Sequence, residues 1–329
     1  MKYASFRYDT SVNLGDQVQS FAAEQYLPQI DYHVNRDSLD TVGEPTSVIM
    51  NGWFSDKPAN WPPSPAVNPL FFGFHMTWYN NAKDRYLEPD SVAYLKTQEP
   101  IGCRDSQTRD WLIEKGVDAF YSKCLTLTFP KREHTPKDGK VFLVDVEYHP
   151  ISRDLRKRGV KISQMTIPYY DDATKRQMMK QLLQTYHDEA ALVITSKLHC
   201  AMPCLAMGIP VVFIGRPDDY RTQILRDVGL EIQPYRLPKS RMKRLVKWAI
   251  YETLGLGYVR KNIWSPKPLD IDATKTEIVS QLKRLRASKF GFSGTGHPLA
   301  TDHEAQSASH PQTTITTSGK IASNGARAS

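Results

Sequence analysis

The run over residues 191–214 constrains this chain more than any other segment. Ala191-Leu192-Val193-Ile194-Thr195 is short, apolar and rich in β-branched side chains, as a strand buried on both faces should be. A helix over 201–207 follows, Gly208-Ile209-Pro210 ends it, and 210–214 is a second apolar strand. Strand, helix and strand in direct succession make a βαβ unit. Such a unit requires a parallel sheet, and ligands of open parallel sheets bind at the carboxyl ends of the strands.

The same rhythm recurs along the chain. Residues 3–8 read as a strand, 9–14 as a loop, and 17–27 as a helix with Val18, Phe21, Ala22 and Tyr26 at helical spacing, stopped by Pro28. A strand at 46–50 leads into Asn51-Gly52-Trp53-Phe54, and another ends at Pro100-Ile101-Gly102-Cys103, before a helix over 106–115. Residues 124–129 read as a strand. Trp61-Pro62-Pro63-Ser64-Pro65 is a loop by its prolines, and its tryptophan argues that it is packed. After the charged, proline-containing stretch 130–140, strands are expected at 140–146 and 161–167 and a helix at 172–186.

A chain of 329 residues has room for two domains. The expected fold class is therefore α/β, with two Rossmann-like domains facing a cleft, 1–135 and 136–292. Residues 293–329 are rich in Ser, Thr, Ala, Gly and His with few large apolar residues, and are expected to form a disordered tail.

No run approaches the roughly 20 apolar residues that cross a bilayer, and the opening residues lack a signal peptide's apolar stretch, so the expected location is the cytoplasm. Cys103, Cys124, Cys200 and Cys204 read as small buried hydrophobes of a reducing compartment; no second pair complements Cys200 and Cys204, and no metal is expected. The net charge of +8 favours anionic partners. Arg236, Lys239, Arg241, Lys243, Arg244 and Lys247 form a basic run that reads first as a solvated helix face. No nucleic-acid motif accompanies it, so no nucleic acid partner is expected. Peripheral association with the inner face of a membrane, to meet a lipid-linked saccharide, is the better-motivated use.

The chemistry concentrates after the strand at 191–195. Ser196, Lys197 and Leu198 open a helix whose first N–H groups and positive dipole end suit phosphate or carboxylate, and Lys197 adds a charge there. His199 is the side chain of this segment that can trade a proton near neutral pH, against the alternative of a satisfied structural histidine. Arg104 sits where a guanidinium fork can grip an anion in two places, unless it pairs with Asp105, whose simplest role is a helix cap. Arg216 and Arg221 follow the strand at 210–214 on the same side. In the first half, Asn13-Leu14-Gly15-Asp16 is the corresponding loop. Asp16 either accepts a hydrogen from a sugar hydroxyl or caps the helix, with the cap preferred. The rings after Asn51 either cover a sugar face or pack the loop.

In order, Asn13-Leu14-Gly15-Asp16, Asn51-Gly52-Trp53-Phe54, Pro100-Ile101-Gly102-Cys103-Arg104-Asp105, Cys124-Leu125-Thr126-Leu127-Thr128 and Thr195-Ser196-Lys197-Leu198-His199 resemble the polysaccharide pyruvyl transferase family over roughly residues 1–220. The resemblance implies a fold similar to the glycosyltransferase B type and transfer of a pyruvyl group from phosphoenolpyruvate to a sugar, giving a cyclic ketal. It places the family's arginine on Arg104, its histidine on His199 and its basic residue before Leu-His on Lys197; together with the reading of the strand ends, the expected site has His199 as the catalytic residue, Arg104, Ser196, Lys197, Leu198 and Arg221 on the donor, and Asn13, Asp16, Asn51 and Trp53 on the acceptor. No cofactor beyond the phosphoenolpyruvate donor is implied. The chain departs from the family's pattern at Lys197, where arginine is usual, and at Cys200, where glycine is common; lysine keeps the charge but not the bidentate fork. Two rival readings are a nucleotide-sugar glycosyltransferase and a non-catalytic glycan-binding relative. Against the first, residues 202–207 hold no acid to grip a ribose.

Overall fold

The computed structural model describes residues 1–54, 57–77, 81–149, 151–235, 238, 240–254, 266–292 and 294. Apart from residue 294, the tail expected from 293 onward lies outside the described residues, as do the basic residues Arg236 and Lys239 and the side chain of Trp53.

Strands β1 (Lys2–Arg7), β2 (Tyr32–Asn35), β3 (Thr46–Trp53), β4 (Val67–His75), β5 (Ile101–Cys103) and β6 (Ala119–Tyr121) form a sheet in the order β2-β1-β3-β4-β5-β6. Strands β7 (Lys140–Val144), β8 (Val160–Ile162), β9 (Ala190–Thr195), β10 (Val211–Gly215) and β11 (Ile232–Pro234) form the other, in the order β11-β10-β9-β7-β8. All neighbours in both sheets run parallel. Read from its other edge, the second sheet repeats the first: the opening strand lies between the second and the third. In each sheet the winding reverses there, at β1/β3 and at β7/β9, and a crevice opens at the carboxyl ends.

The helices are α1 (Leu14–Glu24), α2 (Ala82–Tyr86), α3 (Pro89–Lys96), α4 (Ser106–Glu114), α5 (Arg153–Arg158), α6 (Asp172–Glu189), α7 (Leu198–Ala206), α8 (Gln223–Asp227), α9 (Arg241–Leu254) and α10 (Asp272–Phe290). Among the described residues no helix is long and apolar enough to cross a membrane. The first sheet's core holds Phe6, Phe54, Phe71, Phe74 and Tyr86. Trp61 joins it, stacked on Phe74 and edge-on to Tyr86 at 4.6 Å between centroids, so the proline-rich loop is packed as its tryptophan indicates. All four cysteines are buried and free.

Several elements depart from the sequence reading. Residues 125–128 form a 3-10 turn rather than a strand. The run is apolar because it is buried between α1, α7 and α10, and an apolar run of that length does not by itself distinguish the two conformations. Helix α1 begins three residues earlier than expected. Its cap is Asn13, whose Oδ1 accepts from Gly15 N at 3.0 Å, and not Asp16, which lies inside the first turn. Strand β4 has no counterpart in the sequence reading, because Pro69 and Gly73 interrupt the pattern of an interior strand. At Gly73 the backbone has φ of +80°, and an added Cβ would meet Asn51 Oδ1 at 2.2 Å.

The two halves of the chain are tied by charged groups turned inward. Arg176 of α6 grips both carboxylate oxygens of Glu24 at 2.8 and 2.7 Å, and the buried Lys175 donates to the carbonyls of Tyr8 and Asp9. Helix α10 returns to the first half, where buried Arg286 donates to Tyr26 O at 2.7 Å and Lys289 to Gln98 Oε1 at 2.8 Å.

Candidate active site

The crevice ends of the two sheets line one cavity of about 810 Å3. From the first sheet come Asn13, Asp16, His75, Thr77 and Arg104; from the second come His149, Gln164, the run 196–199, and residues around Arg216 to Thr222. Backbone joins the two sides: Leu14 N donates to Gln164 O at 2.8 Å and Thr166 N to Val12 O at 2.7 Å, flanking an antiparallel bridge between Asn13 and Met165. The starts of α1 and α7 approach so closely that a Cβ on Gly15 would lie 3.1 Å from the Cβ of His199.

His199 stands in the first turn of α7, where its φ and ψ of −83° and 16° kink the helix. Lys197, at the cap position, makes no side-chain capping bond, so the first-turn N–H groups gain no acceptor from it. The imidazole Nε2 is buried and has no hydrogen-bond partner. Burial, then Arg104 and His75, push this histidine well below its ordinary value, so it is neutral at pH 7.

Arg104 follows β5 and is 4% exposed. Among the described residues its guanidinium has no carboxylate within ion-pair distance, and its side-chain bond is a long one, Nη1 to Gln19 Oε1 at 3.5 Å. Burial depresses its pKa, with Asp105 opposing. Asp105 does not pair with it, because that carboxylate is already committed. Oδ1 caps α4 by accepting from Thr108 N at 2.8 Å, and Oδ2 meets His75 Nδ1 at 2.6 Å. The capping role expected of Asp105 is therefore present. Although burial opposes it, His75 and then Arg104 hold the carboxyl below its usual range.

His75 ends β4 and was not foreseen from the sequence. Burial, reinforced by Arg104, brings it down to about 4 despite Asp105. A neutral ring beside an ionised carboxylate must carry its proton on Nδ1, which leaves the Nε2 lone pair as an acceptor. His149 is a third buried histidine on the cavity, likewise brought to about 4 by burial, then by Arg156 and Lys197, with Nδ1 unpartnered. Five buried polar atoms without a partner belong to residues of this one cavity: Arg104 Nε, His149 Nδ1, Gln164 Oε1, His199 Nε2 and the Tyr220 hydroxyl.

The other expected residues are placed as follows. Ser196 Oγ donates to Asp145 O at 3.0 Å, and Lys197 Nζ lies 4.0 Å from Asp145 Oδ2; both residues line the cavity, as does Leu198. Arg221 lines it too, with its charge held by Asp219 at 2.6 Å, and Arg216 is paired with Asp218 at 3.3 Å. Asp16 accepts from Ser11 Oγ at 2.5 Å and Gln19 Nε2 at 3.2 Å at the cavity's edge. Asn51 is not brought to the cavity: it is buried, donating to Gln19 O at 2.8 Å and accepting from Leu125 N at 3.4 Å. An end-of-strand histidine in a parallel sheet was the available signal for His75, but it required β4 to be recognised first.

Comparison with known proteins gives one family. The model of the polysaccharide pyruvyl transferase family matches residues 13–219, which include the strand ends and helix starts just described. No curated protein matches the sequence significantly. Among solved structures, a functionally uncharacterised protein of Klebsiella pneumoniae subsp. pneumoniae NTUH-K2044 is similar at 14% identity, over 68% of this chain and 88% of that one, with a TM-score of 0.45. A UDP-N-acetylglucosamine 2-epimerase is similar at 11% identity, over 91% of this chain and all of that one, with a TM-score of 0.42.

Proposed function

Because the chain belongs to the polysaccharide pyruvyl transferase family, we propose that its cavity transfers the pyruvyl group of phosphoenolpyruvate to a saccharide and closes a cyclic ketal. The observation that carries this reading is Arg104, a buried guanidinium without a carboxylate partner, facing a cavity that also holds Lys197 and the start of α7. A buried cation left unpaired costs several kcal/mol, and an anion with both phosphate and carboxylate groups would relieve that cost.

The unpartnered His199 Nε2 and the His75 ring, held by Asp105, fit the proton transfers. His199 is neutral in the free site, by burial first and then by Arg104 and His75; the negative charge of a bound donor offsets the two electrostatic causes and so favours its protonation. Protonated His199 then delivers its proton to the donor's methylene carbon, which makes the adjacent carbon electrophilic. His75, aligned by Asp105, takes the proton of the attacking sugar hydroxyl on Nε2. The hydroxyl oxygen bonds to the electrophilic carbon. The phosphate–carbon bond breaks, phosphate leaves, and a second hydroxyl closes the ring as its proton passes to the departing phosphate. Asn13 and Asp16 lie on the acceptor's side of the cavity in this reading, and the acceptor is a saccharide, polymeric or lipid-linked.

Calorimetric titration of the full chain with phosphoenolpyruvate tests the donor, with uridine diphosphate and a UDP-sugar as controls. Saturable phosphoenolpyruvate binding that weakens in Arg104→Ala and Lys197→Ala is the expected result. Binding of the nucleotides alone would replace the proposal with nucleotide-sugar chemistry.

A further inference from the structure

Helix α9 is amphipathic in the wrong sense for a surface helix. At about 100° per residue, Leu245, Ala249, Met242, Val246 and Ile250 share an arc of roughly 140°, and Arg241, Lys243, Arg244 and Lys247 occupy the opposite side. A surface helix of a globular protein turns its apolar arc to the core. Here the middle of the cationic side faces the protein: Lys247 Nζ lies 4.8 Å from the centre of the Tyr235 ring, and Arg244 and Lys247 are half-buried while Arg241 and Lys243 are exposed. The apolar arc faces out, with Met242 68%, Leu245 39%, Val246 52% and Ile250 46% exposed. Trp248, 37% exposed, lies on the cationic side between Arg241 and Arg244.

We propose that α9 lies flat on an anionic lipid bilayer, its outward arc sunk among the acyl chains and Arg241 and Lys243 against the headgroups. The two exposed cations stand at the two edges of the apolar arc, beside Leu245 and Ile250 respectively, where long basic side chains reach back to the headgroup level while their neighbours are immersed. Charge complementarity selects the anionic surface: the exposed cations flank the apolar arc on both sides, and no exposed acidic side chain of the described α9 residues offers them a partner on a second copy of this arc. Docking is independent of what the cavity transfers. Its consequence, that Tyr235, which carries Lys247 and lines the cavity, holds the site near the membrane plane for a lipid-linked acceptor, rests on the pyruvyl-transfer reading.

Co-sedimentation of the full chain with phosphatidylglycerol–phosphatidylcholine vesicles, against phosphatidylcholine alone, tests the proposal. Binding to the anionic vesicles only is expected, reduced by 0.5 M salt. Removing two cations in Arg241→Gln/Lys243→Gln should weaken it about 30-fold, and Leu245→Ser/Ile250→Ser should abolish it. Emission from Trp248, taken as the difference from Trp248→Phe, should shift to the blue on the same vesicles. Phosphoenolpyruvate calorimetry on each variant reports separately on the cavity, so failure of docking and failure of the donor assignment are distinguishable. Absence of binding to anionic vesicles, binding undiminished in Leu245→Ser/Ile250→Ser, or a dimer in sedimentation that this variant dissolves would each overturn the proposal.

Discussion

Replacing Arg104 with methionine should make the unliganded protein more stable and the donor site useless. In the free protein this guanidinium is 4% exposed and receives one hydrogen-bond partner at 3.5 Å. Its desolvation is therefore almost uncompensated, tempered by the water an 810 Å3 cavity can hold. An apolar side chain of similar length removes that cost, and exchanges of buried ionic groups for packed apolar ones gain roughly 1–4 kcal/mol. We expect the lower half of that range, and a melting temperature higher by about 2–4 °C. Binding moves the other way. Two charge-assisted hydrogen bonds at about 1.5–3 kcal/mol each correspond to a loss of at least about 100-fold in phosphoenolpyruvate affinity. Thermal denaturation with and without ligand measures both: donor at about 100 times its Kd should raise wild-type stability by roughly 2.7 kcal/mol and leave Arg104→Met unmoved. A variant less stable than wild type by more than about 1 kcal/mol, or still stabilised by donor, would show that Arg104 serves the fold and refute the reasoning.

Three further outcomes follow from the same geometry. His75 and His149 are held near 4 in the fold, below the ordinary value of 6.5, so the unfolded chain binds more protons than the folded one between those pH values. Stability should be full above about pH 6.5 and fall as pH drops toward 4, by about 3 kcal/mol per histidine, as read from urea unfolding at a series of pH values; a flat profile from pH 7 to 4.5 would contradict the burial of these rings. Asp105→Asn should cut turnover by two orders of magnitude or more while donor binding persists, because it leaves the His75 ring free to take the wrong tautomer; equal losses in affinity and turnover would argue instead for a lost donor contact. Gly73→Ala forces a Cβ toward Asn51 Oδ1 at a φ of +80° and should cost about 3 kcal/mol or more in chemical denaturation, with wild-type stability as the contrary result.

The sequence carried the second half of the fold more clearly than the first. Residues 190–215 could be read because a doubly buried parallel strand has no polar face, and Gly208, at φ of +73°, punctuates the crossover. Strand β4 was lost because an interior strand containing Pro69 and Gly73 obeys no local rule; its place is fixed by β3 on one side and β5 on the other. The site divides along the same line. Arg104, Lys197 and His199 follow strand ends visible in the chain, and the cavity unites them. His75 depends on β4, and its meaning depends on Asp105, 30 residues away, so no window of sequence contains both. Asn13 and not Asp16 caps α1, because both residue types cap equally well and the choice depends on where the first turn begins, a position that the sequence alone leaves open within a few residues.

Those bonds between the Val12–Leu14 loop and Gln164–Thr166 also bear on timing. Two sides of a cavity that are laced together through main chain before any ligand arrives have no alignment left to perform at this edge, so the entropy of bringing the starts of α1 and α7 together is spent during folding and not at each binding event. A site assembled in advance should take up its donor in a single kinetic phase whose rate rises in proportion to donor concentration, with no slower step behind it.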